Sequence, residues 1–550
     1  MFSFLRLTLV AAFLFLSLQL IVRSDDTKSP DTVPELAAAN QLFRAGKFAE
    51  AEISYQALIK ADSKLVPAQV GLARAMLRQQ KIDESLDAVN NALSAQPNSS
   101  ALLAAKGDVQ FRRGEMSDAE MSYLAAKKLD PKEVRAYLGL ARMYGSYSLY
   151  RKAYDQLRIA HEFAPDDIEV QRVWLRMLPR KERLAALEAY LGGPHPDDEE
   201  ETKWMNEYLE FLKATADKPI HACRLVSKVE QTETKLEIMH GEDGHRMRGI
   251  GLVVKLNDRN ARLLLDTGAG GIIVGHKLAE KAGVTTISAQ HYAGIGDKGL
   301  QSGNSAVADH IRIGELEFQD CIISVSAKNS VGDEDGLIGA DVFGGYLIDI
   351  DLPGMRLKLS PLPKRPEDTV APTSLNSEGE EQANAEQEAS SPVSKAAHNL
   401  PRDRYIAREM GNWTKVFRFG HSILVPTSVN DSQVMLFGLD TGAFSNILSV
   451  RAGRQVSKVS SDGSMHIRGL NGAVDKVYSS KATLRFAHLQ QPSLDMVTLD
   501  LSSLSRRTGT EVSGLLGFGM LVVLDLKLDY RDGLVDFEYD PKRVRPFERY

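Results

Sequence analysis

Cysteine is almost absent from this chain: Cys223 and Cys321 are the two it has in 550 residues. Two cysteines cannot build a disulfide framework, and they leave open either a single bridge or two unpaired thiols. His-Glu-x-x-His does not occur, and no His and Cys residues cluster at metal-ligand spacing, so metal-assisted hydrolysis finds no motif. A basic surplus is also lacking. With 67 Lys and Arg against 73 Asp and Glu, the net charge is -6, without the basic footprint of a nucleic-acid binder. Gly517-Phe518-Gly519 follows an apolar run but lacks the rest of a dinucleotide fingerprint, so no cofactor is expected. What remains is ordinary globular composition, 43% hydrophobic and 25% charged, in a length that suggests three or four domains.

The one long apolar run is N-terminal. Arg6 precedes Leu7 to Val22, the run is interrupted by Ser17 and Gln19, and polar Arg23-Ser24-Asp25-Asp26 follows. It is short for a spanning helix and fits a secretory signal over 1–24, cleaved after Ser24. Left uncleaved it would act as a signal anchor and tether the protein to a membrane. Either way the chain is expected outside the cytoplasm: periplasmic, in the cell envelope, or secreted.

Residues 35–216 show helical patterning with a period of 34. Ala51, Ser85, Ala119 and Ala153 are 34 apart, as are Ala92, Ala126 and Ala160, and Pro97, Pro131 and Pro165. Tyr55, Val89, Tyr123 and Leu157 each follow the small residue by four. Small residues at fixed positions let paired helices approach, and each Pro stops a second helix. The pattern resembles the tetratricopeptide repeat. Four repeats suffice for a continuous solenoid core, whose concave face would take a peptide or a protein partner. No run of Lys and Arg marks a carboxylate clamp there.

From residue 235 the pattern changes to strands, and one tripeptide appears twice: Asp266-Thr267-Gly268 and Asp440-Thr441-Gly442. Average residue usage predicts roughly 0.1 copies in a chain this long. The flanks match as well. Leu263-Leu264-Leu265 enters the first copy and Met435 to Leu439 the second; Ala269 and Ala443 follow. A Gly-rich turn lies 28 residues beyond Asp266 (Gly294-Ile295-Gly296) and 29 beyond Asp440 (Gly469-Leu470-Asn471-Gly472). Leu337-Ile338-Gly339 and Leu515-Leu516-Gly517 then end 73 and 77 residues past their Asp. Residues 235–362 and 412–540 are therefore a duplication. Between them, 363–411 is rich in Pro, Ser, Glu and Ala and reads as an acidic linker.

Both halves resemble retropepsin-like aspartic peptidase domains, fused in the manner of pepsin. The resemblance implies a multidomain fold: an all-α solenoid followed by two all-β lobes that form a pseudo-dimer. It makes Asp266 and Asp440 the catalytic dyad, supported by Thr267, Gly268, Thr441 and Gly442. It makes Gly294, Ile295, Gly296, Gly469, Leu470, Asn471 and Gly472 flap tips over an extended peptide, although neither turn has the full flap pattern. Tyr292, beside the first turn, is read as packing.

The chemistry follows from the pairing. Two adjacent carboxylates cannot both ionise cheaply, so one stays protonated. The charged one takes a proton from water while the other polarises the scissile carbonyl. No metal or cofactor is needed. The expected function is an exported aspartic endopeptidase whose repeats recruit a substrate or partner. The alternative is a scaffold in which repeats and lobes bind peptide without cleaving it. Pairing of lobes between two chains is less favoured, since flexible chain spans about 5–6 Å times the square root of its length, and a linker of this size reaches easily.

Overall fold

The computed structural model describes residues 34–216, 223–240, 247–294, 300–331, 334–366, 401–461, 468–469, 472–474 and 477–543. The N-terminal apolar run and most of the linker lie outside them.

Four antiparallel helix pairs follow one another: Pro34–Arg44 with Phe48–Ala61, Val66–Arg78 with Ile82–Ala95, Ser100–Arg112 with Met116–Leu129, and Val134–Ser146 with Tyr150–Phe163. Each repeated proline falls two residues past a second helix, which it prevents from continuing. Most of the repeated small residues are buried: Ala51, Ser85, Ala119, Ala126 and Ala160 are at 0% exposure, while Ala153 is half-buried. They leave room for the repeated aromatics. Tyr123 fills a notch at Gly139, where an added Cβ would stand 2.2 Å from the ring. Ile168–Trp174, Arg180–Gly192 and Glu199–Ala214 continue the helical region.

The two lobes share one strand plan. In the first, Met247–Leu256 and Arg259–Asp266 form a hairpin, with Val254 opposite Ala261. Its corner is Asn257, at φ 49, where Asn tolerates the left-handed conformation. Gly336–Gly339 runs parallel to the strand that ends on Asp266 and antiparallel to Ile272–Gly275. In the second, Ser422–Val429 and Met435–Asp440 form the hairpin, turning at Asn430 and Asp431 with φ 49 and 62. Gly514–Gly517 again runs parallel to the Asp strand and antiparallel to Ile447–Ser449.

A six-stranded sheet joins the lobes. Its order is Thr414–Lys415, Leu534–Tyr539, Leu524–Asp529, Tyr346–Asp351, Arg356–Pro361, Thr232–Lys235. The central pair is antiparallel, with Ile348 opposite Leu528, Asp349 opposite Lys527, and Ile350 opposite Leu526. Ile348, Ile350, Leu526 and Leu528 are fully buried in a core shared by both lobes. This apolar seam fuses them into one body.

The two cysteines are bridged, Cys223 to Cys321, which settles the choice the sequence left open. The bridge ties the chain just after the helical region to strand Leu316–Ser326 of the first lobe. Both linker ends meet at one buried carboxylate. Arg365 reaches Asp532 Oδ1 at 2.6 Å, and the Tyr405 N–H donates to the same oxygen at 2.8 Å. Residues 401–411 thus already pack on the second lobe, with Ala407 and Met410 buried.

The solenoid docks firmly on that lobe. Phe111, Met116, Leu140 and Met143 share one apolar cluster with Leu424, Leu436, Ile447 and Leu515. At its edge Thr510 Oγ1 donates to the Phe111 carbonyl at 2.6 Å, and the Glu511 N–H to the Arg112 carbonyl at 2.9 Å.

Candidate active site

Each Asp stands at the end of a strand, where the parallel neighbour supplies its last partner: Gly339 opposite Asp266, Gly517 opposite Asp440. Beyond it the chain turns back, and the turn's N–H groups point at the carboxylate. Gly268 N–H donates to Asp266 Oδ1 at 2.8 Å. Gly442 and Ala443 N–H groups donate to Asp440 Oδ1 at 3.0 and 2.9 Å.

The two turns interlock. Thr267 N–H donates to Thr441 Oγ1 at 3.1 Å, and Thr441 N–H to Thr267 Oγ1 at 3.0 Å. The Thr267 hydroxyl donates to the Leu439 carbonyl and the Thr441 hydroxyl to the Leu265 carbonyl, both at 2.8 Å. Both threonines are fully buried. The glycines are required by proximity rather than by backbone twist. A Cβ on Gly268 would lie 2.7 Å from Asp440 Cγ, and one on Gly442 would lie 2.4 Å from Asp266 Oδ2. Each carboxylate therefore rests against the opposite turn, and the two hydrogen-bond each other.

The electrostatics split the pair. Burial, reinforced by the charge of Asp266, holds the Asp440 carboxyl well above the usual carboxylate range. Burial also raises Asp266, but the Gly268 N–H, the hydrogen bond with Asp440 and the charge of His421 draw it back. The dyad titrates as a unit, with Asp440 raised the further of the two.

The remaining sequence candidates are placed as follows. Gly294 lies just past strand Thr285–Tyr292, which returns as Gln301–Ile313, with Tyr292 opposite Gln301. In the second lobe Gly469 pairs with Gly472. Ile295, Gly296, Leu470 and Asn471 lie outside the described residues. Tyr292 packs: it is buried among Ile273, Val331 and Leu337, with its hydroxyl on Ser326. Among the described residues no group of His, Cys, Asp and Glu is arranged to hold a metal ion.

Residues 252–342 match the family model described as aspartyl protease. The match takes in Asp266 and its backing strand; the second lobe repeats the same strand plan around Asp440. Both lobes have retropepsin-like architecture. Residues 36–100 and 70–134 match the tetratricopeptide repeat model. Two solved structures are similar to the chain. A thermophilic tetratricopeptide-repeat protein from Thermus thermophilus is 18% identical, with 33% of this chain and 97% of that chain covered and a TM-score of 0.26. A tetratricopeptide-repeat protein from Parabacteroides merdae is 17% identical, with 35% and 75% covered and a TM-score of 0.23. No curated protein matches the chain.

Two residues beside the aspartyl protease-like dyad escape sequence reasoning. His421 sits at the corner between Phe417–Phe419 and Ser422–Val429, and its ring covers Gly270 of the other lobe, where a Cβ would stand 2.7 Å from Nδ1. Phe444 is 57% exposed, an unusual position for a large apolar side chain. Gly270 and Phe444 each stand four residues after their Asp, so the duplication aligns Phe444 with a Gly and gives no sign of it. His421 has no counterpart His at the matching position of the first lobe.

Proposed function

We propose that the protein is an exported aspartic-type endopeptidase that hydrolyses peptide bonds with a water activated between Asp266 and Asp440. The observation that carries this reading is the dyad itself: two carboxyls hydrogen-bonded across a lobe boundary, locked by the threonine exchange and differing in proton affinity. The Asp266 carboxylate takes a proton from the water as its oxygen attacks the scissile carbonyl carbon. The Asp440 hydroxyl hydrogen-bonds the carbonyl oxygen and gives up its proton as the tetrahedral diol forms. The proton gathered on Asp266 then passes to the amide nitrogen as the C–N bond breaks, and the Asp440 carboxylate takes back a proton from the diol, which leaves a free amine and a carboxyl product and restores the dyad. The Gly-rich turns are assigned to cover an extended peptide over the dyad, and the solenoid to recruit protein. Export is supported by the Leu7 to Val22 run and by the Cys223–Cys321 bridge, a bond that persists in oxidising compartments.

The test is cleavage of a peptide library by wild type, Asp266→Asn and Asp440→Asn, with and without a transition-state-mimic inhibitor. Each substitution should lower kcat by about 10²–10⁴-fold. Full activity in either variant, or no inhibitor-sensitive cleavage by wild type at any pH, overturns the reading in favour of a peptide-binding scaffold.

A further inference from the structure

The two lobes bring unlike side chains to the dyad. The positions four residues past each Asp are Gly270 and Phe444. The duplicated strands make them mates, since Gly339 stands opposite Asp266 as Gly517 stands opposite Asp440. The pseudo-two-fold relation between the lobes passes between the two Asp residues. The mates therefore lie on opposite sides of a peptide bond held at the dyad.

Phe444 sits on a pinned loop. The Ala443 N–H donates to Asp440 Oδ1 at 2.9 Å, so Phe444 is one residue, about 3.8 Å of chain, past a direct contact with the dyad. The Ala443 carbonyl accepts the Phe518 N–H at 2.7 Å, and the Phe444 carbonyl accepts the Gly519 N–H at 2.8 Å. Buried Asn446 accepts the Gly517 N–H at 2.9 Å and donates to Gln491 at 3.2 Å. Glycines let the loop lie this close. A Cβ on Gly517 would stand 2.2 Å from the Ser445 carbonyl oxygen, and one on Gly519 would stand 2.9 Å from that of Phe444. The backbone is fixed on both sides, so the fold itself holds the ring in solvent. An apolar surface set rigidly beside a reacting centre is what a ligand side chain covers.

The mate position is furnished differently. Gly270 has no side chain, and Gly271 after it takes φ 69. The floor there is His421 of the other lobe, whose Nδ1 and Cγ would stand 2.7 and 2.8 Å from a Cβ on Gly270. His421 is exposed, and its ring makes no hydrogen bond among the described residues. An imidazole has at least one N–H to donate in either protonation state. One side of the dyad thus offers an apolar ring, and the other offers an unclaimed hydrogen-bond donor.

We propose that the cleft is sided. It selects a large apolar residue beside Phe444 and, across the scissile bond, a residue whose side chain brings an oxygen acceptor (Asp, Asn, Glu or Gln) to the His421 ring. The substrate class rests on the peptidase reading; the sidedness of binding does not. Apolar surfaces of this kind discriminate by about 10–200-fold per lost methylene-sized contact, and a hydrogen-bonding group rejects ligands that leave it unpaired.

The probes are alanine-rich peptides in which an uncleavable hydroxyethylene unit, a copy of the tetrahedral diol, replaces the scissile bond. Phe is set in turn at each of three positions on either side, and Asn likewise. Binding to the full chain is measured by calorimetry. In wild type, Phe should tighten binding at least about tenfold on one side only, and Asn on the other. Phe444→Gly, which copies the first lobe, should cancel the Phe gain and leave the Asn gain in place. Phe444→Leu should keep most of it. His421→Ala should cancel the Asn gain alone; its effect on Asp266 acts on every peptide alike and drops out of the ratio. Gains mirrored on both sides, an equal loss for all peptides in Phe444→Gly, an Asn gain that survives His421→Ala, or no binding of any peptide overturns the proposal. The same sequences with a natural peptide bond are assayed for cleavage. Sided binding without cleavage would sink the peptidase reading alone, and cleavage with mirrored gains would sink the sidedness alone.

Discussion

Thr267 and Thr441 each donate a backbone N–H to the other's hydroxyl, at 3.1 and 3.0 Å, across 174 residues of sequence. Each hydroxyl in turn donates to the carbonyl before the opposite Asp. Replacing either threonine with Ala strands a buried N–H and a buried carbonyl. Thr267→Ala should cost roughly 2–4 kcal/mol of stability, and Thr267→Ser, which keeps the hydroxyl, should recover most of it. Denaturant unfolding of the three proteins checks this. The Ala variant should also lose kcat more than KM, since the dyad's spacing is what loosens.

The raised affinity of Asp440 for its proton has a thermodynamic consequence. The folded state binds this proton more tightly than the unfolded chain, so stability falls as pH climbs from the ordinary carboxylate range toward the raised folded value. Asp440→Asn removes the effect. The variant should melt above wild type at pH 7, and the gap should close near pH 4. Asp525 adds to the same trend, since burial and the neighbouring Asp349 raise it to about 7. Asp525→Asn should flatten the slope between pH 4 and 7. Melting curves across that range decide both cases; a gap that widens on acidification contradicts them.

His421 places positive charge beside Asp266 and so favours its ionised form. His421→Ala should let the carboxyl rise further. The acid limb of the kcat/KM profile should then move up by as much as about one pH unit, while His421→Lys should hold it near the wild-type position. An unchanged acid limb in the Ala variant would remove His421 from the dyad's electrostatics.

The Cys223–Cys321 bridge closes a sequence separation of 98. A loop of that size gives up roughly 2–5 kcal/mol of unfolded-state freedom. Cys321→Ser, or a reductant, should lower the melting temperature accordingly. Because the bridge lies away from the dyad, kcat at low temperature should stay near wild type.

The repeated features were the legible ones. A fixed period exposed the helix pairs through Ala51, Ala119 and Tyr123, because each repeat solves the same packing problem with the same residues. The two Asp-Thr-Gly copies exposed the dyad for the same reason, and the hydroxyls of Thr267 and Thr441 could be assigned from it. What stayed hidden were contacts between unlike parts. Arg78 lies on a helix of the repeats, yet its acidic partner Glu201 lies beyond them and follows no period. His421 reaches Gly270 only once the lobes close. Pairing of Cys223 with Cys321 depends on a strand register that two isolated residues cannot encode.

Asp532 receives Arg365 from the outgoing end of the linker and the Tyr405 N–H from the returning end. The polypeptide between them leaves and re-enters at a single point on one lobe. Its length therefore has no say in how the lobes meet. Severing it, shortening it or splicing a foreign domain into it should leave the pseudo-dimer whole, and two separately made halves should find each other through the Ile348–Leu528 seam. In mechanical terms the protein is a dimer that happens to be written on one strand.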